Sequence, residues 1–377
     1  MKNYAIVISF LVIFGCSENQ SKSEVDQDFK LTLDTVVIDP KGGIINLKYG
    51  LTRPELSSDG KYLYHYNYGE AKFDKINLED LVLEETLQYD KEGPDGMGSF
   101  GGYALTSSDQ IMVWSYRINA LFDQEGKKVR DLKLTKIAPE LKGPEAFPFR
   151  LMEHPSDPNT IFGLYVQNLE NQYFLAKFDL ENETYEKISL PETEKLENYR
   201  MEIEQGGRTV GAFSPVPMAT KIRDNKIVLT NGAYNEAYVY DISLDSLYLI
   251  SWDSKLTGNQ NEYKLPKTVE SEQAEEHRRK FNESINFLDP IWDPVSERYI
   301  RLSFKTKFSA DLNEYGESEE IGAEVFLTVL DKDLNIVKET FLDQYQKNPR
   351  SHFFIDNKIW LYENIDDELG FVRVTVD

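Results

Sequence analysis

The feature that most constrains the fold is a recurring unit, a tight polar turn followed by a strand-like run rich in Tyr, Trp and Ile. Each unit continues into a third strand, with the pattern apolar-x-apolar followed by Asp or Asn, and usually into a fourth. One such four-stranded sheet is apolar on both faces, and radial packing of several sheets buries those faces. The six turn-plus-strand segments are SSDGKYLYHYN (57–67), SSDQIMVWSYR (107–117), PSDPNTIFGLYV (155–166), IRDNKIVLTNG (222–232), DPVSERYIRLSF (293–304) and IDNKIWLYEN (355–364).

The spacing of these units, roughly 50–70 residues with four strands each, predicts an all-β, six-bladed β-propeller over residues 29–377. The aromatic content of 12% is consistent with β-structure. The sixth unit has three strands and lacks a fourth. Residues 29–38, FKLTLDTVVI, alternate apolar and polar side chains, and we expect them to supply the missing outer strand and close the ring. The alternative is two β-domains divided around residues 191–212.

Two segments interrupt the repeat. Residues 191–213 are predicted to form a long connection between the third and fourth units. Residues 253–287 contain TVESEQAEEHRRKFNESI, where helix formers dominate and Glu precedes Arg and Lys. This pattern predicts one short inserted helix, at about residues 268–285, before the fifth blade. Long insertions on one rim often carry function in such folds, although a plain spacer is the alternative.

The N-terminus, MKNYAIVISFLVIFGC, has the features of an export signal. Lys2 is followed by an apolar run that is too short to span a bilayer, which predicts a signal peptide over residues 1–15. The end of the run, Ile13-Phe14-Gly15-Cys16, resembles the lipobox of bacterial lipoproteins. Cys16 is the only cysteine of the chain, and we expect it to carry the lipid. An ordinary signal peptide is the alternative.

The residues after Cys16, at positions 16–28, are polar and lack aromatic side chains, which predicts a flexible tether between membrane and domain. The expected location is the cell envelope, with the lipid in the outer membrane. The sequence does not distinguish its periplasmic face from its external face.

The formal net charge of −23 makes nucleic acid an unfavourable partner, because the chain would repel a phosphate backbone. Anionic lipid headgroups would be repelled in the same way. The lipid on Cys16, rather than a basic patch, is therefore expected to hold the protein to the membrane.

A literal G-x-G-x-x-G occurs in GMGSFG (96–101), the pattern of dinucleotide-binding loops. That motif requires a helix after the glycines, so that the helix N-terminus faces a pyrophosphate. Here the sequence continues as strand, turn and strand, so we expect a tight crossover between blades and no nucleotide. DKDLN (331–335) resembles the start of a calcium loop, but Ile336 and Leu342 replace its required Gly and Glu. The sequence predicts no metal and no cofactor.

The residues that enter the inner strands are the candidate site, because a propeller delivers them to the mouth of its channel. These entries include Arg53, Phe100, Tyr103, Phe147, Arg150, Asp289, Trp292, Arg350 and His352. Three of them are arginines, which suit a carboxylate or another anion, and the aromatic residues suit a sugar face or a peptide. The predicted ligand-binding set is Arg53, Phe100, Tyr103, Arg150, Trp292, Arg350 and His352. The alternative is that the arginines pair with local carboxylates and close the channel.

The lipobox, the six units, SSDGKYLY in the first blade and EGPDGMGSF before the second together resemble Bacteroidota lipoproteins of unknown function with a six-bladed, TolB-like propeller. The resemblance covers nearly all of the mature chain. It implies a fold and a location, and it supplies no catalytic residues.

The sequence favours a binding or protein-interaction module that presents one rim to a glycan, a peptide or an envelope protein. An envelope hydrolase or lyase with its site at the channel mouth is the alternative. His352 is the only histidine at the predicted mouth, and no catalytic set is evident, which favours binding. A structural subunit of an envelope complex would instead expose a large apolar patch on one rim.

The lipobox interpretation predicts that Cys16→Ser abolishes lipidation. In a lipoprotein-processing bacterium the wild-type chain should incorporate radiolabelled palmitate and partition into Triton X-114, because each buried CH₂ of the lipid stabilises anchoring by about 0.8 kcal/mol. The variant should lose both properties. Equal palmitate labelling of the two proteins would contradict the assignment.

Overall fold

The computed structural model describes residues 31–376, apart from residues 52, 116–117, 142–145, 168–171, 216, 221 and 314–317. The predicted signal peptide, Cys16 and the tether lie outside the described residues. In the described part of the chain, no helix is long and apolar enough to cross a membrane.

The described chain is mainly β-structure, arranged as six sheets in succession. It begins with β1 (Leu31–Val37). Sheet I contains β2 (Glu55–Leu56), β3 (Tyr62–Asn67), β4 (Lys72–Asn77) and β5 (Val82–Gln88). Sheet II contains β6 (Gly102–Leu105), β7 (Ile111–Trp114), β8 (Asn119–Phe122) and β9 (Lys128–Asp131), followed by the one-turn helix α1 (Leu134–Ile137). Sheet III contains β10 (Ala146–His154), β11 (Asp157–Gln167), β12 (Gln172–Asp179) and β13 (Thr184–Ser189).

The second half continues the same antiparallel order, with insertions. A 3-10 helix (Thr193–Tyr199), β14 (Met201–Gln205) and β15 (Arg208–Phe213) precede sheet IV. That sheet contains β16 (Met218–Ala219), β17 (Lys226–Thr230), β18 (Glu236–Asp241) and β19 (Ser246–Ser251). Then come β20 (Thr268–Glu270) and helix α2 (Ser271–Glu283). Sheet V contains β21 (Asn286–Phe287), β22 (Ile291–Asp293), β23 (Arg298–Leu312), β24 (Ser318–Leu330) and β25 (Ile336–Phe341). Sheet VI contains β26 (His352–Ile355), β27 (Lys358–Ile365) and β28 (Glu368–Val376).

The turns that join the first and second strands of the sheets use residues that tolerate a positive φ. Gly60 has φ 75° in sheet I, and Asp109 has φ 58° in sheet II. The equivalent turns of sheets IV and VI place Asn225 at 54° and Asn357 at 59°. Gly, Asn and Asp adopt this conformation more readily than other residues, which explains why the polar turn recurs in the sequence.

The GMGSFG glycines lie in the connection between β5 and β6. Gly98 has φ 66°, and a Cβ built on it would lie 2.6 Å from Cδ1 of Ile118. The residues that follow form β6, a strand. The glycines therefore serve a tight, closely packed crossover.

The N-terminal strand completes sheet VI, as the sequence predicted. β1 pairs antiparallel with β28, from Leu31 opposite Val376 to Val37 opposite Gly370. Arg373 on β28 donates two hydrogen bonds to the Asp34 carboxylate, of 2.5 and 2.8 Å, and this pairing holds the pKa of Asp34 below its usual value. The first strand of the domain, β1, is thus bound to its last strand, β28.

Apolar clusters join each sheet to the next, and a further cluster joins sheet VI to sheet I. Each cluster contains side chains from the facing surfaces of two sheets. In chain order they contain Tyr64 and Val113 (I and II), Trp114 and Phe174 (II and III), Phe162 and Leu229 (III and IV), Val239 and Leu330 (IV and V), Phe304 and Leu361 (V and VI), and Trp360 and Leu63 (VI and I). Each sheet therefore shares an apolar cluster with the next one along the chain, and sheet VI shares one with sheet I.

The insertions form a separate layer, here called the cap: the 3-10 helix, β14, β15, β20 and α2. β14 pairs antiparallel with β15 and parallel with β20. The segment 191–213, predicted as a connection, thus contains two strands, and the helix predicted at about 268–285 is α2. Phe281 of α2 packs in the cap's own apolar cluster with Tyr199 and Met201. Buried Asn261 donates to the carbonyl oxygens of Phe281 and Ile285 at 2.9 Å each, which satisfies acceptors at the helix end.

Removal of β1 is predicted to destabilise the whole domain. A chain that begins at Ile38 would expose the edge of β28 and lose the half-buried Leu31 and Leu33, which pack against the cluster between sheets V and VI. We expect a loss of about 3 kcal/mol or more in the free energy of unfolding. Urea unfolding monitored by circular dichroism, with a chain that begins at Leu31 as control, measures the difference. Equal stabilities would contradict a closing role for β1.

Candidate functional site

The first residues of the inner strands surround a cavity of about 340 Å³, here called the inner chamber. Sheet I contributes Arg53 and Glu55, and sheet III contributes Arg150. Arg223 comes from sheet IV. The other charged groups are Asp289 of sheet V and Arg350 of sheet VI, and the cavity is also lined by the polar side chains of Thr220, Trp292, Tyr299, Ser351 and His352. Five of the six sheets thus contribute to one cavity.

A second cavity of about 610 Å³, the outer chamber, lies beside the inner chamber and under the cap. Both chambers are lined by Arg53, Arg150, Ala219, Asp289 and Arg350, so these residues form the boundary between them. Most of the remaining lining of the outer chamber is aromatic or aliphatic.

A third cavity of about 190 Å³ lies near the turns that end the inner strands, and Arg150 and Arg223 line it as well as the inner chamber. Together the three cavities follow the inner strands from their beginnings to their ends. The end at which the inner strands begin, where the cap lies, is called the mouth below.

Arg150 is held by a buried carboxylate. Its Nη2 lies 2.7 Å from Oε1 of Glu55, whose side chain is only 3% exposed. Within the described residues its Nε is buried without a hydrogen-bond partner. The ion pair fixes the guanidinium at the chamber wall, and one of its donors remains available.

The other two arginines at the boundary have neutral partners. Nη1 of Arg53 donates to the carbonyl oxygen of Gly101 at 3.3 Å, and Nη2 of Arg350 donates to Oδ1 of Asn282 on α2 at 2.9 Å. The Arg350 guanidinium also lies 5.3 Å from the ring centre of Phe304. Burial lowers the pKa of Arg350, although an arginine stays protonated in proteins.

The cations of the inner chamber outnumber its anions. Among the described residues, Arg53, Arg150, Arg223 and Arg350 face two carboxylates, Glu55 and Asp289. The local charge is therefore two positive, in a chain whose formal net charge is −23. Such a local excess in a concave site favours an anion.

His352 adds an unsatisfied polar group to the same wall. Both ring nitrogens are buried, and neither has a hydrogen-bond partner within the described part of the chain. The carbonyl oxygens of Pro349 and Arg350 lie nearby, and burial lowers the pKa of His352 while the Asp289 carboxylate acts in the opposite direction. Buried unpaired polar atoms cost about 1–3 kcal/mol, so these nitrogens are candidates for contact with a ligand.

The structure brings together most of the residues predicted from sequence. Five of the predicted seven line the inner chamber: Arg53, Arg150, Trp292, Arg350 and His352. Tyr103 lines the outer chamber instead, where it is 2% exposed and donates to the carbonyl oxygen of Tyr64 at 2.8 Å. Asp289, an entry residue outside the predicted set, lines both chambers. The side chain of Phe147 lies outside the described part.

Phe100 lies elsewhere than predicted. Its ring stacks on Tyr66 with 3.7 Å between ring centres, and Tyr68 packs against it edge-on. It belongs to the cluster between sheets I and II and lines neither chamber. The expectation placed every entry residue in the channel, but stacking between neighbouring sheets determines the position of this one.

Sequence reasoning missed several residues of the site. Glu55 follows Arg53 by two positions and could have been found as an entry residue. Arg223 lies in a polar turn, the kind of segment that is normally solvated. Phe213 and Phe281 come from the cap and reach the outer chamber only through tertiary packing. Within the described residues, no three His, Cys, Asp or Glu side chains are grouped as a metal site would require.

A protein-family model described as a domain of unknown function, DUF4221, matches residues 27–341. The chain belongs to the DUF4221 family. This confirms the predicted resemblance to a family of unknown function. No curated protein matches the chain.

Among solved structures, a DUF4221 member from Bacteroides vulgatus is 16% identical to this chain, with a TM-score of 0.64 over 92% of this chain and 98% of its own. The two proteins share their overall fold, and at this identity the likeness supports the fold alone. The β-propeller domain of Cps50 from Myceliophteria thermophila is 9% identical, with a TM-score of 0.39 over 85% of this chain and 94% of its own. Oligogalacturonate lyase from Vibrio parahaemolyticus is 10% identical, with a TM-score of 0.39 over 93% and 98%. TM-scores this low carry no weight for fold or function.

The environment of His352 in this DUF4221 protein predicts a pH-dependent stability. The unfolded chain binds a proton at this residue near pH 6.5, whereas the folded chain resists protonation because burial lowers the pKa. The stabilising contribution is therefore present above about pH 6.5 and is lost as the pH falls through the folded pKa.

Urea unfolding at pH 7 and pH 5 tests this expectation. The wild type should lose more stability between the two values than His352→Gln does. Asp289→Asn removes the charge that raises the pKa of His352, so it should enlarge the loss. Identical pH dependence in all three proteins would contradict the assignment.

Proposed function

We propose that this DUF4221 protein is a lipid-anchored protein of the cell envelope, a six-bladed β-propeller that binds an anionic ligand in its central channel. The observation that carries the proposal is the convergence of Arg53, Arg150, Arg223 and Arg350 on one chamber, where the described residues supply two carboxylates. Arginine presents a planar fork of donors that suits carboxylates and phosphates.

The cycle of apolar clusters supports the six-bladed closure. Sheet VI packs on sheet I through Trp360 and Leu63, as each earlier sheet packs on its successor. β1 contributes the outer strand of sheet VI. A ring of this kind leaves a central channel with the short inner strands at its wall, which is where the arginines lie.

The position of Leu31, where the described chain begins, supports a membrane tether on the side of the domain opposite the mouth. Leu31 pairs with Val376, and the backbone N–H of Val376 donates to the carbonyl oxygen of Asn357, in the turn that follows β26. Arg350 and His352 lie at the other end of β26. A lipid on Cys16 would therefore be joined, through the flexible tether, to the side of the domain opposite the mouth.

The enzyme alternative rests on His352 and Asp289, a buried imidazole close to a carboxylate in the same chamber. A hydrolase or lyase would use the pair for proton transfer. Turnover of a bound anion that is lost in His352→Gln while binding is retained would favour the alternative.

The anion site is tested by thermal shift with the mature chain, residues 16–377, carrying Cys16→Ser. Acetate, succinate, phosphate and glucuronate serve as probes, with uncharged analogues as controls. A ligand at 100 times its Kd should stabilise the protein by about 2.7 kcal/mol. Arg53→Met and Arg350→Met should abolish the shift while they retain the apolar stem of the side chain.

Arg208→Met is the matched control, because Arg208 is exposed on β15 in the cap. It should bind as the wild type does. Arg150 is a poor test residue, since its removal would take the ion-pair partner from the buried Glu55 carboxylate and destabilise the fold. Shifts that persist in both channel variants, or that are equal with neutral analogues, would contradict the anion site.

A further inference from the structure

The outer chamber has a strongly apolar wall. Seven aromatic side chains from sheets II, III and V and from the cap line it: Tyr103, Trp114, Phe149, Phe213, Phe281, Phe287 and Phe304. Leu164, Leu288, Met218 and two prolines complete most of the remainder. Its volume of about 610 Å³ is within the usual range for sites that enclose a small molecule, about 300–1,000 Å³.

Charge is confined to the boundary of this chamber. Arg53, Arg150, Asp289 and Arg350 line it where it adjoins the inner chamber, and its other polar side chains are neutral. A molecule that fills both chambers would therefore meet cations at one end and hydrocarbon at the other.

The outer chamber has few neutral polar groups, and some of them already make hydrogen bonds within the protein. The Asn286 amide donates to the carbonyl oxygen of Ser284 at 2.9 Å, and Oδ1 of Asn282 accepts from Arg350. The wall offers few partners for buried sugar hydroxyls, such as Nε1 of Trp114, which is buried without a hydrogen bond among the described residues. Each hydroxyl left unpaired would cost about 1–3 kcal/mol. The wall thus disfavours a glycan and favours an apolar body.

The cap provides part of this wall. Phe213 at the end of β15 and Phe281 on α2 pack edge-to-face, with 5.5 Å between ring centres, and both line the chamber. The bond between Asn282 and Arg350 joins the cap to the cationic boundary. The cap, which would contact the body of the ligand, is therefore joined by a hydrogen bond to the arginines that would bind its charged group.

We infer that the ligand is an amphiphilic anion. Its carboxylate or phosphate group is held at the boundary by Arg53 and Arg350, and its acyl or aryl body occupies the outer chamber beneath the cap. This inference rests on the anion site proposed above and adds the chemistry of the uncharged part. Each methylene that enters the chamber should tighten Kd by about fourfold.

Isothermal titration calorimetry of the mature Cys16→Ser chain with acetate, butyrate, hexanoate and octanoate tests the inference. Phenylpropionate distinguishes an aryl body from an acyl body, octyl phosphate tests the head group, and octanol tests the need for charge. Affinity should increase along the acid series, and octanol should bind much more weakly than octanoate.

Phe213→Ala removes part of the apolar wall. It should weaken octanoate about tenfold and leave the affinity for acetate unchanged. Val210→Ala is the control, because Val210 lies on the same strand and is 58% exposed; it should bind both acids as the wild type does. A cooperative thermal transition in each variant establishes that it is folded.

The possible outcomes distinguish the amphiphilic-ligand inference from the anion-site proposal on which it rests. If the acids bind with an affinity independent of chain length, the anion site stands and the amphiphilic ligand is wrong. Tighter binding of glucuronate or of oligouronates than of octanoate would also overturn it, in favour of an acidic glycan. If no anion binds at all, both proposals fail.

Discussion

The packing of apolar sheet faces against one another is the interaction on which the rest of this structure depends. Each sheet is apolar on both faces, so a sheet at the end of an open row would expose one face to water. The contact of sheet VI with sheet I, through Trp360, Leu63 and Phe371, removes that exposed face. β1 then covers the outer edge of β28, and the ion pair of Asp34 with Arg373 fixes its position. Without β1, the exposed edge of β28 could pair with strands of other chains.

The same packing explains why the centre of the molecule is polar. Several inner strands are short, two residues in β2 and β16 and three in β22, although β10 has nine. Some of the residues at their beginnings, such as Arg150 and His352, line the inner chamber. Charged groups can be retained at that wall when they are paired, as Arg150 is with Glu55, or when a ligand satisfies them. The cap lies over one end of the channel and partly separates the chambers from solvent.

Much of the fold could be predicted from sequence because its determinants are local. In sheets I, II, IV and VI the polar turns before the second strands place Gly, Asp or Asn at a positive φ, and β1 shows an alternation that marks a half-buried strand. The cap strands were missed, although Met201 and Ile203 alternate with glutamates and Gly206-Gly207 supplies a hairpin turn with φ of 60° and 74°. The site was predictable only in part. Entry residues could be identified by position, but the packing of Phe100 on Tyr66 and the approach of Phe213, Phe281 and Arg223 to the channel depend on contacts between distant segments.

A crystal structure of the mature Cys16→Ser chain soaked in sodium bromide tests the central claim, that the channel is an anion site, most directly. Bromide is a simple anion whose anomalous scattering locates it without assumptions about the ligand. The account predicts a bromide ion between the two chambers, in contact with Arg53, Arg150 or Arg350. Bromide ions confined to the outer surface, with none in the channel, would contradict it.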